Sequence, residues 1–233
     1  MITFLPLFSA FIGAVVAQLL AHALTSCRER KKNNKEIFQE FISPFLNEIM
    51  LFIETETRFR KGHDVEKTID GTSLLREIFT KIKYGNSYLI NAKIKYDYSI
   101  SFFNGKQDTT NNHMLRVFFW FLDYSRSILK SIISSDEDLL IKIVKLQKKC
   151  GLWIILSDAF TYEIATEIMN WSWTWNKDFY EYISIEDIQN LLEVEEHENS
   201  YAIKKLIESI YKEFTNSKNE IPKEIITNFI ENE

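Results

Sequence analysis

The first 24 residues constrain this chain more than any other stretch. From Ile2 to Leu24 there are 23 residues without a formal charge, and "CRERKK" then places four cations and one anion within residues 27–32. At about 1.5 Å per residue, such a segment reaches roughly 34 Å as a helix, against a hydrocarbon core of about 30 Å. Twelve of these residues are Leu, Ile, Phe or Val, each favouring insertion by about 0.3–0.6 kcal/mol near the bilayer centre. Their sum outweighs the penalties of Pro6, Gln18 and His22. A cleaved export signal carries its basic residues before the apolar run and a processing site after it. Here Arg28, Arg30, Lys31, Lys32 and Lys35 all follow. By the positive-inside rule this predicts a single-pass anchor over residues 1–27, a short outside N-terminus and a basic juxtamembrane segment over 28–35. Residues 36–233 are then expected to form one helical domain in the cytoplasm.

Within the predicted span, Ser9, Gly13, Ala17 and Ala21 recur every fourth residue, with Ala10 and Ala14 alongside. A row of small side chains lets a second helix approach closely, and Gln18 and His22, one turn apart beside it, are polar groups that seek an interhelical partner in lipid. Association of like copies in the bilayer is the expectation. Cys27 stands at the predicted boundary, a position open to reversible acylation.

The remainder reads as mostly helical. Only 6 Gly and 3 Pro occur in 233 residues, and scarcity of turn-formers with abundant Ile, Leu, Glu and Lys favours helices throughout. The fold class is all-α. Phe38, Phe41, Ile42, Phe45, Ile49 and Phe52 repeat at helical spacing, with Pro44 marking a kink or restart. "TSLLREIFTKIK" makes a short amphipathic helix. Between residues 88 and 103, Ile94, Tyr96, Tyr98, Ile100 and Phe102 alternate with other residues, so a β-hairpin insertion and a distorted helix both fit. The strongest stripe is Leu115, Phe118, Phe119, Leu122, Leu129, Ile132 and Ile133, with Arg116, Asp123, Arg126 and Lys130 opposite. "SSDEDLL" carries a helix N-cap signature, and apolar periodicity continues through Leu140, Ile143, Val144 and Leu146 until Gly151 interrupts it; another helix is expected from Leu152 to Met169. "SIEDIQNLL" carries a capping-box pattern in Ser184 and Asp187.

Signatures of chemistry are scarce. A net charge of −5 argues against nucleic acid as a partner, and Cys27 and Cys150 are too few for a disulfide framework or a zinc site. No glycine-rich phosphate loop, nucleophile elbow or HExxH occurs. No metal or cofactor is expected. The one constellation with catalytic logic is Arg58 and His63 in "RFRKGH", similar in spacing to the signature of HEPN ribonucleases. Such histidines titrate near neutrality and such arginines clamp phosphate oxygens; an exposed loop pair is the plainer reading. His113 and His197 read as surface or capping residues. Trp171, Trp173 and Trp175 alternate in "NWSWTWNKDFYEY", where a pocket wall, an interfacial belt and core packing all fit.

The order of segments carries a further signal. "TIDGTSLLREIFTKIK", then "HMLRVFFWFLDYSRSILKSI" and "LLIKIVKLQKKCGLWIILSDAFTYEIA" resemble the core of the phage abortive infection proteins related to AbiC, with Gly71, His113, Phe118, Leu122, Tyr124, Ile128, Leu129, Lys130 and Ile132 standing for parts of the family pattern. The resemblance covers residues 36 to 170. It implies a bacterial anti-phage defence protein in the cell membrane, halting or killing the infected cell; a phage-derived or host protein is the expected trigger of such an effector. The ribonuclease and a non-catalytic membrane scaffold are the alternatives. The topology is directly testable: a cytoplasm-dependent reporter fused after Lys35 is expected to be active, and activity of a periplasm-dependent reporter at the same site would reverse the orientation.

Overall fold

The computed structural model describes residues 4–58, 68–102, 108–132, 137–170 and 183–193, with residues 205, 206 and 208. Helices make up nearly all of these segments. Helix α1 (Phe4–Ile37) runs without a break from the uncharged stretch through the basic cluster. A π-turn, Phe38–Ile42, passes it directly into α2 (Ser43–Glu56). Pro44, at the start of α2, is the restart that the sequence predicts. It has no N–H to return to the carbonyl of Glu40 one α-turn earlier, and Lys81 Nζ donates to that carbonyl at 2.8 Å.

Next come α3 (Gly71–Thr80), a 3₁₀ turn (Ile82–Tyr84), α4 (Ser87–Ser101), α5 (Asp108–Ile132), α6 (Glu137–Ala159), α7 (Tyr162–Asn170) and α8 (Ile185–Glu193). Local chemistry starts several of them. Asp70 accepts from the Thr72 N–H at 2.9 Å at the head of α3, and Asn86 accepts from the Leu89 N–H at 3.0 Å at the head of α4. Ser184 and Asp187 complete the capping box of α8: Asp187 N–H donates to Ser184 Oγ at 3.0 Å, and Ser184 N–H to Asp187 Oδ2 at 3.3 Å.

The core is organised around α5. From Met114 to Leu122 every residue except Arg116 is buried, so this stretch meets neighbours on all sides. The α1–π–α2 rod lies antiparallel to it. Asn34 Nδ2 donates to Ser131 Oγ at 2.7 Å, the Phe41 and Phe121 rings meet edge to face at 5.3 Å, and Phe52 meets Phe118 at 5.2 Å. On another side α4 is antiparallel to α5: Tyr88 stacks on Trp120 at 4.7 Å, and Lys95, two turns later, lines a cleft with His113, two turns earlier on α5. Helix α6 closes the core through Trp153, stacked between Phe52 at 6.1 Å and Tyr162 at 5.4 Å.

Three expectations need correction. The alternating stretch is the helix α4, and no strand occurs among the described residues. Leu89, Ala92 and Tyr96 are its buried residues, at helical spacing; positions 94, 98 and 102 satisfy a period of two and also successive helical turns, which is why the pattern misleads. Gly151 does not interrupt α6. The absence of a side chain there admits α8 and α5 instead: a Cβ would lie 2.4 Å from Ile188 Cγ2 and 3.0 Å from Phe119 Cε2. Finally, the apolar run 152–169 is two helices, α6 and α7, separated at Phe160 and Thr161, where Thr161 Oγ1 accepts from the Ile164 N–H at 3.3 Å.

Gly151→Ala gains up to about 1 kcal/mol of helix propensity but forces this contact apart. The expected net effect in urea unfolding of the detergent-solubilised chain is a loss of roughly 1–3 kcal/mol. Ile188→Ala removes the obstructing methyl, so the double variant should lose less than the sum of the two single losses.

Candidate functional site

The most distinctive surface is α1 itself. It is the one helix among the described residues long and apolar enough to cross a membrane. From Phe11 to Leu24 its large apolar side chains are 41–68% exposed, so this segment contributes nothing to the protein's own core. Gly13 has no atom within 4 Å of where a Cβ would stand, and Ala17, Gln18 and Ala21 are exposed. Helical geometry through Ser9, Gly13, Ala17 and Ala21 sets them in one row at successive turns.

Past Leu24 the helix changes role. Arg28, Arg30, Lys31, Lys32 and Lys35 are all exposed, as is Cys27. Arg28, Lys31, Lys32 and Lys35 follow three- and four-residue spacing and share one face. Asn34 and Ile37, on the opposite face, begin the contact with α5. The basic segment is therefore a helical stalk, cationic outward and docked inward.

A second constellation lies where α2 ends against α6. Lys149 is half-buried there, and its Nζ donates to the Thr57 carbonyl at 3.4 Å, at the negative end of α2. Lys142 pairs with Glu54 at 3.8 Å one step along. Burial holds the Lys149 ammonium down at about 8, reinforced by Lys145 and opposed by Glu54. Beside it, burial raises the Tyr162 phenol, with Glu56 adding to the effect, and burial raises the Cys150 thiol. Cys150 is fully enclosed, with Sγ 3.4 Å from the Leu115 carbonyl, and is chemically inert there. Arg58 closes this corner, exposed, with its backbone N–H on the Thr55 carbonyl at 3.3 Å. His63 lies outside the described residues, as do His197, Trp171, Trp173 and Trp175.

The third feature is a cleft between α4, α5 and the end of α8, walled by Tyr88, Lys95, His113, Arg116, Trp120 and Glu193 among others. His113, expected at the surface, is half-buried in it. Arg116 is a structural clamp: Nη2 pairs with Asp158 at 2.7 Å and Nη1 donates to the Leu192 carbonyl at 3.1 Å, joining α5, α6 and α8. Residues 116, 158 and 192 are too far apart in sequence for spacing to have brought them together. Lys149 escapes notice for the same reason, since its neighbour Thr57 stands 92 residues earlier. Among the described residues no group of three or more His, Cys, Asp or Glu is placed to hold a metal ion.

Comparisons with protein-family models, curated proteins and solved structures give no match to this chain.

The Lys149 environment has a measurable signature. Its pKa is depressed in the folded state to about 8 from the 10.5 of an unperturbed lysine. Between those values the unfolded chain binds more protons, so this group's contribution to stability rises with pH across the window. Lys149→Met removes the contribution, and comparing the two proteins isolates it from the titration of the rest of the chain. The stability difference between wild type and variant should therefore shift towards the wild type by roughly 1–3 kcal/mol from pH 7.5 to 10.5 in urea titrations. A flat difference would place the lysine in water.

Proposed function

We propose that this protein is a membrane-anchored anti-phage defence protein of the abortive-infection type. Helix α1 spans the bacterial cell membrane with its N-terminus outside, and the helical domain faces the cytoplasm. Copies associate through the Ser9, Gly13, Ala17 and Ala21 row with Gln18 beside it, and their concerted shift disturbs the bilayer when the domain meets a phage-derived or host protein trigger.

The observation that carries this reading is the continuity of α1. An exposed apolar helix that passes through a basic stalk into the core, without an intervening loop, couples the position of the domain to the lipid-facing segment. A flexible tether would not. Packing among spanning helices depends on close backbone approach rather than on hydrophobic drive, so the small residues are the sensitive positions. The order of helical segments that resembles the AbiC-related proteins supplies the defence context, and the scarcity of catalytic motifs favours an effect exerted by the anchor.

The test is a phage challenge of cells carrying wild type, Gly13→Leu, Ala17→Leu, or the pair Arg58→Ala and His63→Ala, with dye uptake and total RNA followed together. Gly13→Leu and Ala17→Leu should insert normally, yet lose protection and dye uptake. The Arg58/His63 variant should behave as wild type. RNA cleavage that disappears only in that variant would replace this reading with the ribonuclease, and full protection by both leucine variants would remove the anchor from the mechanism.

A further inference from the structure

Helix α4 has a second apolar face. Opposite its buried residues, Ile90, Ile94, Tyr98 and Phe102 are 40, 47, 60 and 63% exposed. Their four-residue spacing makes a single ridge over about 18 Å, and the Tyr98 and Phe102 rings stack at 5.7 Å along it. Isolated apolar side chains on a surface are ordinary, but a contiguous ridge marks an interaction site. Lipid is not the partner its position suits. Asn34, about 15 Å past the end of the apolar stretch, meets Ser131, and Tyr88 meets Trp120 about 16 Å farther along α5. The ridge therefore begins on the order of 30 Å from the apolar segment and runs away from it.

The geometry points to a second copy of this chain, docked ridge to ridge with the two α4 helices parallel. Direction supports this. The α1–π–α2 rod is antiparallel to α5, and α5 is antiparallel to α4, so α4 runs in the same sense as the rod. Two copies anchored in one membrane present their α4 helices in parallel; this orientation rests on reading α1 as the anchor. Charge supports it as well. Asp97 lies on one flank of the ridge and Lys95 on the other, both exposed. In a parallel pair opposite flanks meet, as the e and g positions do in a parallel coiled coil. Each Asp97 then faces Lys95 of the other copy, and the match occurs twice around the two-fold axis. Asp97 also accepts from Lys93 one turn earlier on its own helix, which holds the carboxylate on that flank.

The test uses the full-length protein in native membranes, with Cys27→Ser leaving only the enclosed Cys150. Single cysteines are introduced by Ile94→Cys, Tyr98→Cys or Ile141→Cys, the last on the outer face of α6, and oxidised. Dimers should form at 94 and 98 several-fold more readily than at 141. Lys95→Asp or Asp97→Lys alone should depress cross-linking at 98, and the two together should restore it. Membranes containing Ile90→Cys and Phe102→Cys chains should give no mixed 90–102 dimer.

Cross-linking equal at all three sites, or insensitive to the charge swap, would overturn the inference. So would a 98-linked product containing a different protein, or mixed 90–102 dimers. Repeating the 98 cross-link with Gly13→Leu separates the two surfaces. Dimers that persist establish α4 as an interface even if the small-residue row fails, and dimers that vanish there while ignoring the charge swap would assign association to α1 alone.

Discussion

Burial of α5 is the constraint from which the rest of the architecture follows. A nine-residue stretch, Met114–Leu122, in which only Arg116 escapes burial cannot be satisfied by one neighbouring helix, whose contact covers little more than a third of its circumference. It needs the rod on one side, α4 on another and α6 on a third. The aromatic contacts Phe41–Phe121, Phe52–Phe118 and Tyr88–Trp120 fix both the direction and the axial position of those neighbours. Because α5 is shared, the direction of α1 dictates that of α4.

Polar groups inside this assembly act as positioning devices. Gln147 is fully buried, and its Nε2 donates to Asp123 at 3.0 Å, while Asp123 also receives Arg126 at 2.8 Å. Together with Arg116 on Asp158 and Leu192, these bonds set α5, α6 and α8 in one register, where apolar packing alone would permit sliding. Breaking such a partly buried pair costs more than forming it contributes, because the surviving charge is left desolvated.

Much of this was legible in the sequence because it rests on periodicity. The uncharged span, the basic boundary, the α3 and α5 stripes, the Pro44 restart and the Ser184–Asp187 box are local patterns whose physics needs no tertiary partner. The failures share a cause in long-range contact. Gly151 reads as a break until Ile188 arrives from 37 residues away to occupy the missing side chain's place. The alternation in α4 fits a strand as well as a helix because two faces of one helix are apolar, and only the fold shows that α5 takes one of them. At the candidate sites the row on α1 follows from spacing, whereas the Lys149 corner and the Arg116 clamp join residues that no linear motif connects.

The π-turn at Phe38–Ile42 sets an azimuth. Each residue advances an α-helix by about 100°, and a π-turn accommodates one extra residue without breaking the backbone hydrogen bonding. The face that α1 shows to its surroundings is thus offset from the face that α2 shows to α5. Lys81, reaching from the end of α3 to the Glu40 carbonyl, braces the point where that offset is stored. Were the turn to tighten into α geometry, the outer segment would have to move by about one residue's advance against the domain, swinging the small-residue row about 100° round the helix axis while shifting it only about 1.5 Å along it. The junction is in this sense a rotary coupling, with its angle written into a single surplus residue.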